Sequence, residues 1–274
     1  KKVLDDARAE AFGLARGALT LMLHTGSRAL GHGVGTDFIQ AAISQNRGRP
    51  TSVADVYALD AASETGQSYL AAMNAAANYA FVNRFMVGVL VMMVLKEFFP
   101  AVEDTMVYDL SHNLVQAEQH DGQDLFVHRK GATKAVPASL AGGLYAGTGQ
   151  PLLIPGSMGT LSYVLAALEG SAQTLHSVNH GAGRVLTRKQ AMSSREGDMS
   201  DTRGGGFRKR HLIISDQEFA HSMRGVAGQF ADRRAIKTEA PQVYKDIDTV
   251  IKVVNKSNLA APVAQLKPIG VVKE

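Results

Sequence analysis

A chain of 274 residues suffices for one large domain or two small ones around a sizeable buried core. It contains no cysteine, which excludes a disulfide framework or a thiolate metal site built from these residues alone, and its 45% hydrophobic and 20% charged residues fit a soluble globular protein. The net charge of +4 and the pI near 9.2 suit a polyanionic partner such as nucleic acid without requiring one.

Leu19–Leu23 (LTLML) reads as a strand that ends at His24 and turns through Thr25, Gly26 and Ser27. Val34, Phe38, Ile39, Ala42 and Ile43 then recur at helical spacing, predicting a helix over Thr36–Gln45 and, after it, a loop with Gly48 and Pro50. From Val53 to Phe99 the Ala-rich sequence predicts one or two long helices, interrupted at Gly66 or Gly88 and packed in the interior. The longest apolar run of the chain, Phe85–Leu95, is shorter than the about 20 residues a bilayer span needs, so a buried helix rather than a membrane segment is expected. The second half changes style, with short strands expected at Thr105–Leu110, Leu125–His128, Pro151–Ile154, Ser162–Leu165 and Thr174–Val178 between Gly-rich turns. Met192–Arg210 is polar and reads as an exposed loop, and helices are expected near Asp216–Phe230 and Tyr244–Val254. Together these predict an α+β fold, a mixed or antiparallel sheet core packed by long helices. The N-terminal KKVLDDARAEAFG lacks a signal-peptide apolar core, which with the missing cysteines leads to a cytoplasmic expectation.

Three histidines follow apolar runs and are trailed by small residues: His24 in LTLMLHTGSR, His112 in MVYDLSHN and His180 in LHSVNHGAGR. Strand ends deliver side chains into a common mouth, where imidazole can ligate a metal, move a proton or attack phosphorus. Around them lie small-residue loops suited to phosphate. Pro155–Tyr163 (PGSMGTLSY) offers backbone N–H groups with Ser157 and Ser162, and HGAG offers more, with Arg184 and Arg188 behind it. Neither has the form of a Walker or dinucleotide-binding loop. VHRKGATK places Arg129, Lys130 and Lys134 beside a glycine, either as a solvated loop or as a phosphate contact.

HTGSRALGHGV, MNAAANYAFVNR, YDLSHN, VHRKGATKAVP, GQPLLIPGSMGTLSY, HGAGRVLTR, EAPQVYKDID and LKPIGVVKE occur in this order. The series resembles the RtcB family of RNA-splicing ligases over Phe12 to Lys273, with residues 1–274 read as a single catalytic segment of the family fold. The resemblance implies an enzyme that uses GTP and Mn²⁺, two ions in the complete site, to join RNA 3′-phosphate or 2′,3′-cyclic phosphate ends to 5′-hydroxyl ends. It implies His180 as the acceptor of GMP, and His24 and His112 as Mn²⁺ ligands. Asn113, Pro155, Gly156, Ser157, Met158, Ser162, Gly181, Ala182, Gly183 and Lys273 match guanylate-binding positions, with Tyr244 stacking on or bordering the base. Arg28, Arg184 and Arg188 are the candidates for RNA phosphate. Transfer RNA halves or broken RNA are the implied substrates, and archease an implied helper. Ala29 stands where the family usually has glycine. The family's upstream Asp, Cys and Asn-His elements have no match in these residues, so the segment by itself is expected to be inactive. The alternative is a non-catalytic fragment or a paralogue that binds RNA or guanine nucleotide without ligation.

Overall fold

The computed structural model describes residues 2–46, 56–192, 214–232 and 235–273. In chain order its elements begin with β1 (Lys2–Val3), α1 (Asp6–Ala11), α2 (Arg28–Gln45), α3 (Glu64–Phe98), β2 (Asn113–His120), β3 (Gln123–Lys130), β4 (Ala132–Lys134) and β5 (Pro151–Ile154). They continue with β6 (Ser162–Ala167), β7 (Ser177–Asn179), α4 (Arg188–Met192), α5 (Asp216–Ser222), β8 (Ala227–Phe230), α6 (Ile247–Lys256), β9 (Ala260–Leu266) and β10 (Gly270–Lys273). The chain divides into two compact units, one made of Lys1–Ala18 with Gly131–Glu274, the other of Leu19–Lys130. The α+β class expected from the sequence is what the structure has.

In the first unit an antiparallel sheet runs in the order β1-β9-β6-β5, and its strands carry the deepest core. Leu152, Ile154, Leu165 and Val263 are fully buried because both strand pairs are covered. Helix α6 covers that core with Ile247, Ile251 and Val254, an i, i+4, i+7 stripe. Asp246 caps the helix by accepting from Thr249 N at 2.6 Å, which is why it starts three residues after Tyr244 rather than at it. Shortening Leu165 to Ala is expected to destabilise the unit by about 2–5 kcal/mol, the range for a cavity in a packed core, read as a shifted midpoint in chemical denaturation.

Shorter ladders surround this sheet. β4 pairs antiparallel with β7, and β10 pairs parallel with β8. The strand expected over Thr174–Val178 is shorter, since Leu175 and His176 both take positive φ (50° and 48°) and only Ser177–Asn179 pair. The helix expected over Asp216–Phe230 stops at Ser222, and after Gly225 (φ +80°) the chain turns into β8. The expected loops at Arg47–Thr51 and, beyond Met192, at 193–210 lie outside the described residues.

The second unit holds the two long helices and the β2–β3 hairpin. The hairpin turn is Asp121-Gly122, both at positive φ (50° and 76°), the two-residue connection that matches strand twist. Arg129 lies in β3, 4% exposed, with two guanidinium nitrogens on the Glu118 carboxylate at 2.6 and 2.9 Å. It is therefore part of a buried ion pair, not of a solvated or phosphate-facing loop. Leu19–Leu23 and Thr105–Leu110 form no strand. Both are apolar enough for one, but neither has a ladder partner among the described residues.

Helix α3 runs unbroken through Gly66 and Gly88, capped by Ser63, whose hydroxyl accepts from Gly66 N at 3.0 Å. A side chain at Gly66 would run into the Asp60 carbonyl, so the glycine serves close approach rather than a break. The interior packing expected for this segment is not what the described residues show. Its buried positions are Gly66, Ala76 and Ala80, while Phe85, Leu90 and Met93 are more than half exposed. Tyr69 packs its ring against Phe38 of α2, with centroids 5.3 Å apart. At 35 residues α3 is long and apolar enough to cross a membrane by length and composition, conditions that are necessary but not sufficient.

Candidate functional site

His180 follows β7 at the end of its ladder with β4. The carbonyl of Gly131 accepts twice from it, from the backbone N–H at 3.2 Å and from ring Nδ1 at 2.8 Å. A carbonyl only accepts, so Nδ1 carries the proton and Nε2 holds the lone pair. The imidazole is half-buried. Gly131 makes this approach possible. Its φ is +68°, and a Cβ there would lie 3.3 Å from both Cε1 and Nδ1 of the ring.

The Gly-Ala-Gly that follows packs on the loop after β5. Ala182 N donates to Pro155 O at 3.1 Å, and a Cβ on Gly181 would stand 3.1 Å from that same oxygen. Bare backbone here lets two loops meet. Within Pro155–Leu161 the N–H of Gly156 donates to Ser162 Oγ at 3.2 Å and that of Ser157 to Thr160 Oγ1 at 2.8 Å. Met158 is buried with Met223 and Ile236, anchoring the loop from beneath. The structure therefore brings His180, Pro155–Met158, Ser162 and Gly181–Gly183 into one unit. Asn113, at the start of β2, belongs to the other.

Beyond Gly183, whose carbonyl accepts from Lys245 N at 2.9 Å, the side chains converge on Glu239. Arg184 Nη1 reaches it at 3.2 Å, Arg188 Nη2 at 3.1 Å and Lys273 Nζ at 3.3 Å, and the Tyr244 hydroxyl donates to it as well. Arg184 also donates to Leu186 O and Thr238 O and stacks over the Tyr244 ring with Cζ 5.2 Å from its centroid. Its guanidinium is occupied inside the unit, whereas the Arg188 side chain is 74% exposed. Burial raises the Glu239 carboxyl, but the Tyr244 hydrogen bond and the charges of Lys273 and Arg184 outweigh it, leaving its pKa below the usual glutamate value. Tyr244 is pushed up to about 12, first by burial, then by its hydrogen bond to Glu239 and that anion's charge. The sequence motif EAPQVYKDID pointed to Tyr244 only. Glu239, five residues earlier, carried the sign needed to gather cations and was missed.

In the second unit His24 and His112 meet. Their Nε2 atoms are 3.0 Å apart, with the rings edge to face at 84°. Arg28, exposed at the start of α2, takes positive φ (53°) just after the His24 turn. Two neutral imidazole nitrogens facing each other share one proton, or both turn lone pairs to a cation. Metal–nitrogen bonds of about 2.1 Å put neighbouring ligand nitrogens roughly 3–3.4 Å apart, so the pair fits as two ligands of a divalent ion. Among the described residues no group of three His, Cys, Asp or Glu side chains forms a metal cluster. A divalent ion held by this pair would need further donors besides the two imidazoles.

These features define a class of α+β protein with an imidazole anchored against glycine backbone in one unit and a converging histidine pair in the other. The chain belongs to the RtcB family: the family described as tRNA-splicing ligase RtcB matches residues 1–274. It is 40% identical over 285 residues to the tRNA-splicing ligase RtcB of Thermococcus kodakarensis, covering 99% of this chain and 56% of that protein. It is 41% identical over 282 residues to the RNA-splicing ligase RtcB of Mycobacterium bovis, covering 99% of this chain and 60% of the relative. Against the tRNA-splicing ligase RtcB of Pyrococcus horikoshii the identity is 40% over 287 residues, 99% of this chain and 31% of that one. The chain thus spans from about a third to three-fifths of the length of these curated relatives.

Proposed function

We propose that this chain carries the guanylate-accepting part of a GTP- and Mn²⁺-dependent RNA ligase that joins 3′-phosphate or 2′,3′-cyclic phosphate ends to 5′-hydroxyl ends. The observation that carries the reading is the Nδ1 hydrogen bond from His180 to Gly131 O, which leaves the lone pair on Nε2. Nε2 attacks the α-phosphorus of GTP; the N–P bond forms, the bond to the β-phosphate oxygen breaks and pyrophosphate leaves. The ring turns cationic as it does so, and the Gly131 carbonyl facing Nδ1–H favours that charge. A 2′,3′-cyclic end is first opened by water, which breaks the bond to the 2′-oxygen and leaves a 3′-phosphate. An oxygen of the 3′-phosphate then takes the guanylate from His180, and the 5′-hydroxyl of the second RNA, giving up its proton to solvent, attacks the activated 3′-phosphate and expels GMP.

The other residues have roles consistent with their positions. Pro155, Gly156, Ser157, Met158, Ser162, Gly181, Ala182 and Gly183 shape the cradle beside the nucleophile, with Asn113, Lys273 and Tyr244 assigned to the guanylate. His24 and His112 would hold Mn²⁺, which when bound offsets charge on phosphate oxygens. Arg28 and Arg188 are assigned to RNA phosphate, and Arg184 reaches it only by giving up Glu239 and Thr238. Work in the cytoplasm on transfer RNA halves or broken RNA, with archease as helper, belongs to the same reading. So does inactivity of the 274 residues by themselves, since among the described residues no third ligand joins the histidine pair.

The test incubates α-labelled GTP and Mn²⁺ with the 274-residue chain and with a longer family protein that contains it. The expected result is an acid-labile GMP adduct on the longer protein alone, mapped by peptide sequencing to His180. No adduct on the longer protein, or one mapped to another residue, removes the mechanism.

A further inference from the structure

Helix α3 carries two adjacent polar side chains that bind both histidine loops. Asn83 Nδ2 donates to Gly26 O at 2.8 Å and to Thr25 Oγ1 at 3.3 Å, within two residues of His24. Arg84 Nη1 donates to Thr25 O at 3.3 Å, and its Nε donates to Asp109 Oδ1 at 2.6 Å, three residues before His112. One turn of helix therefore ties together two segments 88 residues apart in the sequence that meet at the imidazoles. One turn further on, Gly88 leaves room for Leu23, with a Cβ there 3.5 Å from Leu23 Cδ1.

The loops need such a tie. Residues 19–26 and 102–111 form no helix or strand, so no ladder of their own fixes the direction of either histidine. The tie is also built to be rigid. The Arg84 side chain is 11% exposed, and its guanidinium lies 4.6 Å over the Phe81 ring, which holds its plane. A charge this far out of water is stable only when paired, and Asp109 pairs it. A surface ion pair would have left the guanidinium mobile.

We propose that Asn83 and Arg84 are positioning residues that set the separation and facing of the His24 and His112 imidazoles, and through them the affinity of the pair for a divalent cation. The metal half of this statement rests on the reading of His24 and His112 as ligands; the geometric half does not.

The test uses histidine-labelled protein and two-bond proton–nitrogen NMR of the imidazoles, metal-free at fixed pH, followed by titration with Mn²⁺ alone. In the parent protein the ring signals of His24 shift when His112→Ala is introduced, and the reverse, because the rings touch. In Arg84→Ala that cross-sensitivity disappears, and broadening of the two histidines needs roughly tenfold more Mn²⁺, the lower end of what loss of a ligand-orienting partner costs. Asp109→Asn, which keeps the acceptor oxygen but not the charge, falls between the parent and Arg84→Ala, whereas Asp109→Ala reproduces Arg84→Ala. Retention of cross-sensitivity and of Mn²⁺ dependence within twofold by a natively folded Arg84→Ala, checked by circular dichroism, overturns the proposal. Where Arg84→Ala does not fold, the Asp109 pair decides, and identical behaviour of Asn and Ala there overturns it equally. Cross-sensitivity lost in Arg84→Ala without Mn²⁺ broadening in any form leaves the positioning role standing and removes the metal reading of the histidines.

Discussion

His180→Ala is expected to bring GMP adduct formation and RNA joining down to background together, a loss on the order of 10⁴-fold or more, the scale seen when a covalent nucleophile is deleted. The reason is positional as well as chemical. With Nδ1 held on the Gly131 carbonyl at 2.8 Å, Nε2 is the nitrogen that can attack, and no neighbouring side chain in the Gly-Ala-Gly loop can replace it. Gly131→Ala separates position from chemistry. Its φ of +68° strains any side chain, and the added carbon would lie 3.3 Å from the ring it faces. The imidazole then moves by a fraction of an ångström with its chemistry intact. A drop of roughly 10–100-fold in adduct formation is expected, since a displacement near 1 Å can cost about 10²-fold. Both variants are made in the longer family protein that contains these residues and compared by labelled-GTP transfer. An unimpaired His180→Ala places the acceptor elsewhere, and an unimpaired Gly131→Ala shows that the carbonyl does not hold the ring.

The sequence revealed residue types better than it revealed partners. The core strands β5 and β6 were legible because PLLI and SYVLAA are compact β-rich runs between Gly- and Pro-rich turns, and the structure buries them. Leu19–Leu23 looked the same locally and forms no strand, because a strand is a relation to a neighbour and a composition cannot name one. The reverse error occurred at β2. Asn113–His120 alternates weakly, yet the Asp121-Gly122 that follows is the strongest short hairpin signal in the chain and would have located both strands. The histidines at apolar-run ends were visible as candidates, and the structure adds that His24 and His112 meet while His180 sits in the other unit. What stayed hidden was the direction of long side chains. Arg184 and Arg188 are equivalent on paper, four residues apart after one glycine loop. Only the fold turns the first inward onto Thr238 and Tyr244 and the second out to solvent. Arg84 and Glu239 were missed for a related reason: a charge within an apolar helix or a short turn declares its purpose only once its partner is in view.

Glu239→Ala is expected to lower adduct formation on the order of 100-fold, while Glu239→Gln, which keeps the shape and an acceptor for Tyr244, costs roughly tenfold. The carboxylate holds Arg184, Arg188, Lys273 and Tyr244 at once, so removing it releases groups on three separate segments beside the proposed guanylate site. Arg184, 24% exposed, then loses an ion-pair partner without reaching water freely, at about 1–3 kcal/mol of stability. The pH dependence separates the roles of charge and shape. The Glu239 pKa is lower in the folded state, so its contribution is present above the ordinary glutamate value near 4.5 and disappears as pH falls through the folded value. The Tyr244 pKa is higher when folded, about 12 against 10, so its contribution is present below pH 10 and disappears as pH rises toward 12. Glu239→Gln should therefore flatten the acid limb of the stability profile and bring Tyr244 ionisation, followed by phenolate absorbance, down toward 10. The anion that helps hold the phenol neutral is gone, while burial still raises the pKa and Arg184 lowers it. A Tyr244 titration unmoved by Glu239→Gln would assign the whole shift to burial and leave Glu239 as one ion pair among others. A lowered Tyr244 pKa accompanied by slow adduct formation at neutral pH, where the phenol is protonated in both proteins, ties the carboxylate's effect on chemistry to the placement of Lys273 and Tyr244 rather than to their charge state.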